Sequence, residues 1–119
     1  MRKYFLFLIL CFIFLVGCSN QNNSVINYVQ AKEQIINNGA VLIDVRTQEE
    51  YDEGHINGAI LLTLDTISDS SVSEVVNSKD TPIIVYCRSG LRSHEALDKL
   101  NELGYKNVYD LGAMSNWKE

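Results

Sequence analysis

Ile83-Ile84-Val85-Tyr86-Cys87-Arg88-Ser89-Gly90-Leu91-Arg92-Ser93 is the stretch on which the reading of this chain turns. Ile83 to Tyr86, entered through Pro82, reads as a short buried strand. A cysteine ends that strand, and an amphipathic helix begins within a few residues. The tight loop between them holds one glycine and two arginines. A thiol placed there sits under backbone N–H groups at a helix N-terminus, where partial positive charge favours the thiolate. Arg88 and Arg92 add charges that do not titrate away. A lone cysteine after an apolar strand is ordinarily a small buried hydrophobe, and arginines flanking a turn are ordinarily a solvated surface. Strand, cysteine, glycine-containing loop, arginines and helix in this order favour a nucleophile in an anion-binding cup.

Working outward, Val25-Ile26 reads as a short first strand. Asn27 caps a helix over about Tyr28 to Asn37, with Val29, Ile35 and Ile36 inward and Gly39 past its end. Ala40 to Val45 is an apolar strand running into Asp44 and Arg46. Thr47-Gln48-Glu49-Glu50 has capping-box spacing, so a short helix follows and stops at Gly54. His55-Ile56-Asn57-Gly58 is a turn, and Ala59 to Leu62 a strand. Asp65 or Thr66 is expected to cap a serine-rich helix carrying Ile67, Val72, Val75 and Val76. After the Cys87 strand, a helix from about Leu91 to Leu103 buries Ala96, Leu97, Leu100 and Leu103 and ends at Gly104. Val108-Tyr109 is a last short strand. Strands alternating with helices predict an α/β fold, a small parallel sheet with helices on both faces. Such sheets bind ligands in loops at the carboxyl ends of their strands.

The first residues stand apart. Arg2 and Lys3 precede an apolar run of thirteen residues, Tyr4 to Val16, too short to span a bilayer comfortably but suited to a signal peptide. The run ends in Leu15-Val16-Gly17-Cys18, which resembles a bacterial lipobox with Cys18 lipidated after cleavage. Residues 1–17 are then a lipoprotein-type signal peptide, 18–24 the lipidated cysteine and a polar tether, and 25–119 the folded domain. The domain is expected in the bacterial cell envelope, lipid-anchored on the extracytoplasmic face. Losing Arg2 and Lys3 takes the formal charge from −5 to −7, a poor balance for nucleic acid or anionic surfaces. Cys11 leaves with the signal, so Cys87 remains the free thiol of an exported domain. In an oxidising compartment such a leftover thiol suggests reactivity.

Three ordered motifs resemble the rhodanese-like family. Leu42-Ile43-Asp44-Val45-Arg46-Thr47, with Glu50-Tyr51, Gly54-His55-Ile56 and Gly58-Ala59, looks like its first signature. Val85 to Ser93 looks like its active-site loop. Leu103-Gly104-Tyr105 with Asn107-Val108-Tyr109 and Trp117 looks like its closing segment. The resemblance covers roughly Val25 to Glu119 and implies a sulfurtransferase. Cys87 would take sulfane sulfur from thiosulfate or a similar anionic donor and pass it, as a persulfide, to cyanide or a thiol. The loop Arg88, Ser89, Gly90, Leu91 and Arg92 would bind the donor, and Asp44, Arg46 and His55 would brace the fold. Asn57 stands where the family usually has proline, Ala113 where a second glycine is common, and His94 where a small residue is frequent.

Two other functions compete. Phosphatases and arsenate reductases with a thiolate cup need five residues between cysteine and arginine. Here Cys87 and Arg92 enclose four. Rhodanese-fold binding or sensing modules often lack the cysteine. Two distant histidines and one cysteine give no metal-ligand spacing, and the chemistry calls for no cofactor.

Overall fold

The computed structural model describes residues 24–118. In chain order these form α1 (Tyr28–Asn38), β1 (Val41–Asp44), α2 (Gln48–Glu53), β2 (Ile60–Leu61), α3 (Asp69–Ser73), β3 (Ile83–Cys87), α4 (Leu91–Glu102) and β4 (Val108–Ala113). Single 3-10 turns lie at Leu64–Thr66 and Met114–Asn116. The sheet order is β2-β1-β3-β4, with every pairing parallel. All five residues of β3 are buried, as a central parallel strand covered on both faces requires. Ile83, Val85 and Cys87 face α4 and its Ala96, Leu97 and Leu100. Ile84 and Tyr86 face the opposite layer, with Ala31, Leu42, Ile56 and Leu111. Val25 adds one parallel bridge, to Asp110, so the expected first strand is a single rung.

The local signals act as the residue types predict. Asn27 and Gln30 form a reciprocal capping box, and Gly39 closes α1 in the left-handed region at φ 67°. Thr47 and Glu50 form a second box at the head of α2. In α4 the buried stripe Ser93, Ala96, Leu97 and Leu100 follows the helical repeat.

Two expectations are corrected. Val29 and Ile36 are not inward: they are 67% and 72% exposed, and α1 instead buries Ala31 with Ile35 partly covered. Both pairs fit a helical repeat, and the small Ala31 is the residue that lets α1 lie close to the sheet. Neither Asp65 nor Thr66 caps a helix. Leu64–Thr66 closes as a 3-10 turn, and Ser68 caps an α3 of only five residues. Serine hydroxyls compete for the backbone there: Ser71 Oγ donates to Thr66 O at 2.7 Å and Ser73 Oγ to Ser70 O at 2.9 Å. Val72 and Val76 still reach the core.

A buried polar bracket joins the carboxyl ends of β1 and β3. Asp44 accepts from Arg46 Nη2 and from the Tyr86 hydroxyl, each at 2.7 Å. The same hydroxyl accepts from Ile56 N–H at 3.1 Å, and Arg46 Nη2 also donates to Gly54 O at 2.7 Å. Tyr86→Phe orphans a buried amide and removes a donor from a carboxylate. It is expected to lower stability by about 1–3 kcal/mol in urea unfolding. Val29→Ala, on the exposed face of α1, is expected to change it by less than about 0.5 kcal/mol.

Candidate active site

The site is built where β3 hands over to α4. The chain must reverse within Arg88-Ser89-Gly90, and Gly90 takes φ 100° to do so. Gly90 also lies against β4, where a Cβ would meet Gly112 Cα at 3.7 Å. That close turn aims amides at the cysteine: Gly90 N–H lies 3.0 Å and Ser93 N–H 3.3 Å from Cys87 Sγ. Burial pushes the thiol up. Hydrogen bonding from Ser93, by hydroxyl and amide, and from the Gly90 and Ser89 amides outweighs it and leaves the thiol below its ordinary value. The Ser93 hydroxyl has one proton and donates it to Gly90 O at 3.0 Å, so the amides are the permanent support.

The two loop arginines converge on a carboxylate that the sequence presented only as a helix cap. Arg92 binds Glu50 through both terminal nitrogens, at 2.7 and 3.0 Å, and Arg88 Nε reaches it at 3.0 Å. Thr47 N–H and hydroxyl also donate to Glu50, each at 3.0 Å. Hydrogen bonding from Arg92, then from the Thr47 amide, holds the Glu50 carboxyl far below the usual carboxylate range. Arg88 keeps its outer nitrogens clear of this pair and is 64% exposed along its side chain, against 33% for Arg92. Ser89 and Leu91 are exposed beside the loop.

The other candidate residues separate by place. Asp44 and Arg46 form the buried bracket described above. His55 is exposed, stacked on the Tyr51 ring at 3.7 Å, with Nδ1 2.9 Å from Tyr51 O. His94 is exposed on the first turn of α4. Cys18, with the proposed signal and most of the tether, lies outside the described residues. Glu50 was visible in the sequence through its capping box, but nothing local announced a charge partner 38 and 42 residues away. Among the described residues no group of three or more His, Cys, Asp or Glu could hold a metal ion.

The chain belongs to the rhodanese-like domain family, whose model matches residues 28–119. It is 34% identical to thiosulfate sulfurtransferase GlpE of Coxiella burnetii over 78% of this chain and 85% of that one. It is 35% identical to thiosulfate sulfurtransferase PspE of Escherichia coli over 62% and 70%. Among solved structures, a rhodanese from E. coli with anions superposes with a TM-score of 0.60 at 32% identity, covering 65% of this chain and 89% of that one.

Glu50 links acid stability to the site. A carboxyl depressed in the folded state contributes stability that is complete above its unfolded value and drains as pH falls below it. Wild type should therefore exceed Glu50→Gln in chemical-denaturation stability at neutral pH. The gap should narrow from about pH 4 downward, and a gap independent of pH would contradict the ion-pair assignment.

Proposed function

We propose that this chain is a sulfurtransferase that carries sulfane sulfur as a Cys87 persulfide. The observation that carries the reading is the pair of amides on Cys87 Sγ, from Gly90 at 3.0 Å and Ser93 at 3.3 Å. These fixed donors hold thiolate before reaction, and the same cup can hold a persulfide after it. The Cys87 thiolate attacks the outer sulfur of thiosulfate or a similar donor. A new S–S bond forms at Sγ, the donor's own S–S bond breaks, and sulfite leaves with the electron pair. A thiophilic acceptor, cyanide or a thiol, then attacks the outer sulfur, and the electron pair returns to Cys87. Because Cys87 is fully buried, a small terminal sulfur suits it better than a bulky electrophile. The names of the curated relatives support the donor class.

The arginines divide this work. Arg88, exposed and bound through Nε alone, can offer its terminal nitrogens to the donor's oxyanions. Arg92, with both terminal nitrogens on Glu50, positions the loop. Arg88→Ala should therefore lower kcat/KM for thiosulfate about 10- to 100-fold, the scale of a charge-assisted hydrogen bond, with little loss of stability.

The deciding experiment is intact-protein mass after incubation with thiosulfate. One sulfur atom should be gained by wild type and none by Cys87→Ser. Alkylation of Cys87 should follow a thiolate that forms below the pH of an ordinary thiol. A protein that gains no sulfur, or Cys87→Ser that transfers sulfur at the wild-type rate, would leave a binding module as the better account.

We further infer that Cys18 is a lipid anchor, from Arg2, Lys3, the apolar run and Leu15-Val16-Gly17-Cys18. No helix among the described residues is long and apolar enough to cross a membrane. Cys18→Ala should leave an uncleaved or mislocalised precursor. Recovery of unlipidated mature protein from wild-type membranes would overturn the assignment.

A further inference from the structure

Beside the Cys87 loop, between the start of α4 and the end of β4, lies a cleft of about 610 Å³. Gly90, whose amide touches Cys87 Sγ at 3.0 Å, forms part of its wall. Leu91 and Ala113 give it an apolar side, while Asp110 and His94 give it a polar one. Neither loop arginine lines it; both are drawn to Glu50. Asp110 is only 5% exposed, and its Oδ1 accepts Gly112 N–H at 2.8 Å across the register irregularity within β4. A carboxylate fixed in this way is a pre-placed negative charge in a recess with one apolar wall. Leu91, 81% exposed at the lip, is a large apolar side chain that the core does not use.

We propose that this cleft is the acceptor subsite and that it takes a small thiol bearing an ammonium group. This rests on the sulfur-transfer reading and deepens it: the donor anion is met on the Arg88 side, the acceptor on the Asp110 side. The ammonium lies toward Asp110 and the carbon chain along Leu91 and Ala113. The acceptor enters as thiolate and attacks the outer sulfur of the Cys87 persulfide. The new bond joins acceptor sulfur to that sulfur, the Sγ–S bond breaks, and its electron pair returns to Cys87 under the Gly90 and Ser93 amides. The product is the acceptor's own persulfide.

The test separates loading from discharge. Cys87 is loaded with thiosulfate, excess donor is removed, and loss of the bound sulfur is followed by mass in single turnovers with cysteamine, 2-mercaptoethanol or 3-mercaptopropionate. Rates are corrected for each thiol's thiolate fraction. Cysteamine should discharge the persulfide at least about tenfold faster than 3-mercaptopropionate, with 2-mercaptoethanol between them. Asp110→Asn keeps an oxygen for Gly112 N–H and should remove most of the cysteamine advantage. Leu91→Lys, at a position 81% exposed, should shift preference toward 3-mercaptopropionate even if Asp110→Asn fails to fold. Equal corrected rates for the three thiols, or variants that slow all three alike, would overturn the subsite while leaving sulfur transfer intact. Failure of Cys87 to load would overturn the sulfur-transfer reading and this one with it.

Discussion

The Asp44 carboxylate, fully buried at the carboxyl end of β1, is the constraint from which the rest of the site follows. A buried charge left without partners costs several kcal/mol, so the chain must bring donors to it. Arg46 comes from two residues away and supplies its amide as well as its guanidinium, while the Tyr86 hydroxyl comes from the neighbouring strand. Satisfying Asp44 therefore fixes β1 against β3 one residue before Cys87. Through Tyr86 to Ile56 N–H and Arg46 to Gly54 O it also fixes the segment between α2 and β2. The Cys87 loop leaves a strand end that is already clamped.

A second carboxylate then decides where the positive charge of the loop goes. In isolation Arg88 and Arg92 suggest a cup with two free cations. Glu50 takes both terminal nitrogens of Arg92 and Nε of Arg88, so much of that charge is neutralised within the protein. The thiolate is held instead by amide dipoles at 3.0 and 3.3 Å, which neither titrate nor move away. Hydrogen bonding to sulfur and exposed positive charge thus fall to different groups: the amides reach the buried atom, and Arg88 lies at the exposed rim.

The parts of this design legible in the sequence are those written in local pattern. The apolar run of β3, the N-cap at Asn27, the capping box at Thr47, and Gly90 between cysteine and helix each encode their structure within a few residues. The parallel sheet followed from their alternation. What local pattern could not carry was choice among equivalent faces and pairing at long range. Val29–Ile36 and Ala31–Ile35 both fit a helix, and only packing against the sheet selects the second pair. Glu50 satisfies its cap and both arginines at once, but only the cap lies within sequence reach. Asp110 shares a cleft with the start of α4, and β4 carries an irregularity after it, where Val85 pairs with Asp110 and Tyr86 with Gly112. Gly112, at φ 83° just past the shift, is its one local mark, since a glycine inside a strand often accompanies a bulge.

The fate of Arg92 also bears on which thiolate chemistry the cup can support. A cysteine-dependent phosphatase needs an arginine turned inward to a tetrahedral phosphate, with a loop long enough to wrap it. Here four residues separate Cys87 from Arg92, and the guanidinium is engaged by Glu50 from α2. Releasing it would mean breaking a bidentate pair whose carboxylate is also bonded by Thr47. What remains over the sulfur is a small ring of amides closed by Gly90 and Ser93. Two amide donors to Sγ are fewer than the three oxygens of a phosphoryl group would require. Loop length and the Glu50 pair therefore act together. The first limits the size of the group the cup can hold, and the second withdraws the cation a phosphoryl group would need.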